Sequence, residues 1–235
     1  MIKKIIAMCL CCISIAGCSA MPMSRDAYAL RIETYLEDKY NEDFVVSKVQ
    51  RRTDGSVHAI AYPADDSNAV FDAVIPDVNK PDVSDEYIKT MMGHRYADAF
   101  SEIMRKYGYD SKFGTLIWAD SVMSDADKTT DLQEYADNSK NAKLNTSGIV
   151  NGHIDAGTLQ SAAKDFYNKY HMGVSLFVYV ITDSGDYYSA ERLLSDYGKL
   201  TMAEAAKYNP DDTFIVNCDS NKCQVRKEDG YGNTD

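Results

Sequence analysis

Apolar residues recur at helical spacing in Tyr28, Ile32, Tyr35, Leu36 and Tyr40, with charged residues between them. This pattern predicts an amphipathic helix over about residues 25–41. The rhythm then changes. Residues 44–49, 56–62 and 69–75 read as three strands, separated by Thr53-Asp54-Gly55 and by Pro63-Ala64-Asp65-Asp66-Ser67-Asn68. Those spacers are turn chemistry for an antiparallel meander. Beyond Pro76 and Pro81, Ser84 stands where it could cap a long helix. One apolar face of that helix carries Ile88, Met91, Met92, Tyr96, Ala99, Phe100, Ile103, Met104 and Tyr107, with Gly108 as its stop. Residues 115–119 read as a further strand.

From residue 120 to 157 the chain turns polar, with Tyr135 its one aromatic residue, and this marks the internal boundary. A short helix is expected around residues 130–139, where Thr130 and Gln133 have capping-box spacing. The second half resumes with a helix carrying Leu159, Ala163, Phe166, Tyr167 and Tyr170, ended by Gly173. Residues 174–181 are almost wholly apolar, which predicts a central strand buried on both faces. Helices over 188–197 and 202–208 follow, the second opened by a Thr201–Glu204 capping box, and Asn209-Pro210 ends them. The expected class is α+β: an antiparallel three-stranded meander flanked by helices, then a second α/β half. The pattern leaves open whether that half extends the same sheet. The divisions are 25–119, a polar connecting segment at 120–157, and 158–235.

The first residues are of another kind. Lys3 and Lys4 precede a twelve-residue apolar run, 5–16, in which only Ser14 is polar. Twelve helical residues reach about 18 Å, short of the roughly 30 Å core of a bilayer, so the run has the build of a secretory signal peptide. It continues into Ile15-Ala16-Gly17-Cys18. These four residues resemble the lipobox of bacterial lipoproteins, with Ile15 in the place usually held by Leu. The resemblance implies removal of residues 1–17 and a diacylglyceryl thioether on Cys18, with 18–24 as a lipidated tether. It implies a cell-membrane location on the extracytoplasmic face. Two or more acyl chains hold stably where a single one is reversible, at about 0.8 kcal/mol per buried methylene.

Cleavage leaves 23 basic and 36 acidic residues, a net charge of −13. A duplex-binding protein needs a basic footprint, and no basic run exceeds two adjacent residues, as at Arg51-Arg52, so nucleic acid is not an expected partner. Cys9, Cys11 and Cys12 leave with the signal and Cys18 carries lipid. Cys218 and Cys223 remain as a pair, and in an exported protein a disulfide is expected. The bond would clip a hairpin across Asp219-Ser220-Asn221-Lys222.

No catalytic set assembles from spacing. His58, His94, His153 and His171 stand far apart, without metal-site partners. Asp125, Asp127 and Asp131 alternate like a calcium loop but lack its glycine and its final glutamate. Ser161-Ala162-Ala163-Lys164 fits a Ser-x-x-Lys pattern without the companion motifs of penicillin-recognising enzymes. No metal or cofactor is expected. Tyr outnumbers Phe 17 to 7; most tyrosines lie at core spacing, leaving Tyr187, Tyr188 and Tyr231 as candidate contact residues. The expected function is a non-enzymatic, lipid-anchored surface module that binds another protein or a cell-envelope component. A small-molecule or glycan-binding lipoprotein is the alternative, and an envelope hydrolase would require acids such as Asp120 and Asp183 to converge.

Overall fold

The computed structural model describes residues 24–228. The expected signal peptide, Cys18 and Tyr231 lie outside the described residues. Helix α1 (Arg25–Tyr40) starts where Ser24 Oγ accepts the Ala27 N–H at 3.2 Å. It ends at Asn41, which takes a left-handed φ of 53° and donates its N–H to the Glu37 carbonyl. Tyr28, Ile32 and Leu36 are buried against the meander β1 (Phe44–Arg51), β2 (Val57–Pro63) and β3 (Phe71–Ile75). Strict alternation along β2 turns Val57, Ala59 and Ala61 inward.

Ser84 does not cap the long helix. It belongs with Asp85 to a two-residue strand, β4 (Ser84–Asp85), which adds to β3 and makes the meander a four-stranded sheet. The helix α2 (Tyr87–Lys106) is instead held by Asp85, whose Oδ1 accepts the Tyr87 N–H at 3.1 Å and the Tyr40 hydroxyl at 2.7 Å. Tyr87 packs into the first core and Met92, Tyr96, Phe100 and Met104 into the second, so α2 joins the two halves. Gly93 lies directly under the chain that follows: a Cβ there would stand 1.8 Å from the Thr115 carbonyl oxygen.

The two halves do not share a sheet. A separate six-stranded sheet runs β10-β9-β8-β7-β5, with β6 also pairing β7. Its members are β5 (Ser111–Phe113), β6 (Ile117–Trp118), β7 (Lys143–Asn151), β8 (Gly173–Ile181), β9 (Asp212–Cys218) and β10 (Cys223–Glu228). The connecting segment expected at 120–157 is therefore more than a connection. It holds α3 (Leu132–Asp137), capped by Asp131 rather than Thr130, and β7, a central strand. Parallel pairing of β7 with β8 is bridged by α4 (Ala156–Tyr170). That helix stops at His171, with φ 55°, and Gly173 is already the first residue of β8.

Val174, Leu176, Val178 and Val180 face α2 and α4 in the main core. On the opposite face Ile149, Tyr179 and Ile181 are covered by α5 (Ser184–Tyr197) and α6 (Met202–Ala205). The Thr201–Glu204 capping box forms at the start of α6, and a 3-10 turn (Ala206–Tyr208) follows. The disulfide Cys218–Cys223 closes the last hairpin. The chain is α+β. Among the described residues no helix is long and apolar enough to cross a membrane.

Candidate functional site

The cover on the second face stops halfway along the sheet. Near the starts of β7 and β8, cross-strand register sets Asn145, Ser175, Asn217 and Gln224 side by side over four strands, with Ser175 Oγ donating to Asn217 Oδ1 at 3.0 Å. The next row is Ser147, Phe177, Ile215 and Arg226. On the outer edge Trp118 pairs Lys143, and the Leu116 carbonyl accepts the Asn145 N–H. Trp118 is 49% exposed, Leu116 53% and Phe177 37%, far above what residues of this kind show in a packed sheet. An uncovered, partly aromatic half-face results.

At the end of the sheet, where β7 and β8 begin, this face meets a cleft of about 420 Å3. Its walls include Trp118, Asn141, Lys143, Tyr167, His171 and Asp219. Each wall has a local cause. His171 can project there because its left-handed backbone ends α4, and its Nδ1 lies 2.7 Å from Asp137 Oδ1, tying the ends of α3 and α4 together. The Tyr167 and His171 rings stack at 6.2 Å and 28°. The opposite wall is the clipped turn. Asp219 Oδ1 accepts the N–H groups of Asn221 (3.0 Å) and Lys222 (3.2 Å). Those backbone donors, with Lys143 Nζ at 3.6 Å, hold the Asp219 carboxyl below the usual carboxylate range.

A second cleft, about 470 Å3, lies on the other side of that turn and shares Tyr167, Asp219, Ser220 and Asn221 with the first. Its other walls include Gln160, Lys164 and Lys222. Gln160 Nε2 donates to the Cys223 carbonyl at 2.6 Å and so ties α4 to the hairpin. Residues 219–222 thus form a ridge between two adjoining hollows, and the disulfide fixes the base of that ridge.

The residues singled out from sequence fall in several places. Cys18 lies outside the described residues. Cys218 and Cys223 are bonded and line the second cleft. Tyr187, on the inner face of α5, is fully buried in the cluster of Ile149, Tyr179 and Ile181, whereas its neighbour Tyr188 is 60% exposed. Both stand at the far end of the sheet from the clefts. Asp120 accepts from Asn141 Nδ2 at 2.8 Å beside the first cleft, while Asp183 caps α5 beyond the other end of β8. A nine-residue ladder separates them, about 26 Å at ~3.3 Å per residue, so the two acids do not converge. Asp127 accepts from Thr129 and Thr130, and Asp131 caps α3. Ser161 donates to the Gly157 carbonyl and both Ser161 and Lys164 are exposed on α4. Among the described residues no group of three or more His, Cys, Asp or Glu could hold a metal ion.

Trp118, Tyr167 and Lys143 were not singled out by the sequence. Trp118 carried one signal: it is the sole tryptophan, at the end of a predicted strand followed by Asp120.

No protein-family model matches the chain, and no curated protein matches it. A solved structure does resemble it. The crystal structure of a DUF5037 family protein from Ruminococcus gnavus aligns with a TM-score of 0.54 over 86% of this chain and 95% of that one. The two are 15% identical, so the likeness is one of fold.

Proposed function

We propose that this chain is a lipid-anchored, extracytoplasmic surface module of non-enzymatic type, which binds another protein or a cell-envelope component. Its address comes from the signal peptide and the lipobox-like Ile15-Ala16-Gly17-Cys18. Its binding surface is the uncovered half-face of the six-stranded sheet together with the adjoining clefts. The observation that carries this reading is the exposure of Trp118, Leu116 and Phe177 on one side of that sheet, where the neighbouring half of the same face is sealed by α5 and α6. Aromatic surface left open beside polar side chains is the composition of a contact site.

A photo-crosslinking residue placed at Phe177 in intact cells tests this. An adduct should form at 177 and disappear in a Trp118→Ala background, while the same probe at Leu30, exposed on α1, should give none. Equal capture from both positions, or none from 177, would contradict the reading.

A further inference from the structure

We infer that the paired clefts bind an anionic glycan, with a sugar ring on Trp118 and Tyr167 in the first cleft and an acidic group of the same chain facing Lys164 and Lys222 in the second. The inference rests on the surface reading above and names its ligand class. Each cleft falls within the roughly 300–1,000 Å3 of small-molecule sites, at about 420 and 470 Å3. The four shared residues set the two clefts side by side across one ridge, an arrangement that an oligomer can straddle.

The chemistry of the walls narrows the class. An apolar ligand is disfavoured because amides, hydroxyls and charged groups predominate around Trp118 and Tyr167. A peptide adding to a sheet needs a free strand edge, and the first cleft is bounded by strand starts, at Lys143 and Gly173. Pyranose rings suit it better. One face of such a ring is C–H surface that lies flat on an aromatic side chain, and its rim is hydroxyl that amides and carboxylates can meet.

Charge then separates neutral from acidic sugars. Among the described residues Asp219 is the one acid on the walls of the first cleft, and it is already matched by Lys143 and by two backbone N–H groups. In the second cleft, among the described residues, Lys164 and Lys222 make no ion pair and Asp219 is the one carboxylate on the walls. A net charge of −13 for the cleaved chain repels polyanions at long range, but screening limits that repulsion to about 8 Å at physiological salt. The local excess of ammonium groups decides the sign inside the cleft.

Isothermal titration of the full protein in detergent tests the assignment with four probes: a galacturonate hexamer, a phosphorylated mannan oligomer, a neutral galactan hexamer and polyglutamate. One of the two acidic glycans should bind with a Kd of 1 mM or tighter, and whichever binds shows whether carboxylate or phosphate is preferred. The neutral hexamer and polyglutamate should each bind at least tenfold more weakly. Trp118→Ala should weaken binding at least tenfold and Trp118→Phe should retain most of it. Lys164→Gln with Lys222→Gln should abolish the preference for the acidic over the neutral hexamer. Equal binding of the neutral hexamer or of polyglutamate, no binding of either acidic glycan, or an unaltered Trp118→Ala protein would each overturn the inference. If the glycans fail while the Phe177 crosslink persists, the ligand class falls and the surface reading stands.

Discussion

Ser147 and Leu200 hold each other across 53 positions of sequence: Ser147 Oγ donates to the Leu200 carbonyl at 2.6 Å and accepts the Leu200 N–H at 2.9 Å. The hydroxyl sits on the buried part of β7, where the segment between α5 and α6 crosses the sheet. This contact marks the line at which cover of the second face ends and the open half-face begins.

Replacing Ser147 by Ala strands a buried donor and a buried acceptor. Ser147→Ala should cost about 1–3 kcal/mol of stability, read from urea unfolding. A loss within measurement error would mean that water serves Leu200 equally well.

Gly93→Ala should destabilise by about 1–3 kcal/mol, the usual cost of overpacking, because the added methyl meets the Thr115 carbonyl, which is backbone and cannot swing aside. Thermal unfolding measures it. A melting point equal to that of the parent would show that α2 and the 114–116 segment separate more easily than their packing implies.

Much of this architecture was legible in the sequence, and the exceptions have physical causes. The meander showed itself because three strand-like runs are separated by Thr53-Asp54-Gly55 and by the turn-forming 63–68 segment. The last hairpin showed itself because two cysteines flank a turn-forming tetrapeptide. Strand β7 did not, since Lys143, Asn145, Thr146, Ser147 and Gly148 read as connection. Burial there demands small and polar residues: the Ser147 hydroxyl serves Leu200, and a Cβ at Gly148 would stand 2.1 Å from the Phe113 ring. Hydrophobic periodicity cannot report a strand buried in that way. Ser84 misled because the residue that orders the start of α2 is its neighbour Asp85, through contacts with Lys39 and Tyr40 that lie 46 and 45 positions away. The clefts were hidden for the same reason, since Trp118, Lys143, Tyr167 and Asp219 come together only when four separate elements meet.

Reducing Cys218–Cys223 should lower stability by about 2 kcal/mol, the loop-entropy value for so short a closure. A Cys218→Ser, Cys223→Ser protein compared with the parent by chemical unfolding checks the figure. A loss above about 4 kcal/mol would show that the clip also supports the packing of α4 against the hairpin.

His94, half-buried on α2, has its pKa lowered chiefly by burial, against the opposing pull of Asp66 and Asp98. The unfolded chain therefore binds a proton more readily than the folded one, and stability falls as pH drops below the ordinary imidazole value of about 6.5 towards the depressed folded value. Unfolding free energies between pH 7 and pH 5 should show that decline in the parent and a flatter profile in His94→Gln. Parallel profiles would contradict it.

Attachment to the envelope depends on Cys18, and intact-mass analysis of the envelope fraction tests it directly. The native protein should begin at residue 18 and carry the mass of a diacylglyceryl group there, while Cys18→Ser should leave the envelope fraction. A native N-terminus without lipid, or a Cys18→Ser protein that still sediments with envelopes, would contradict the account.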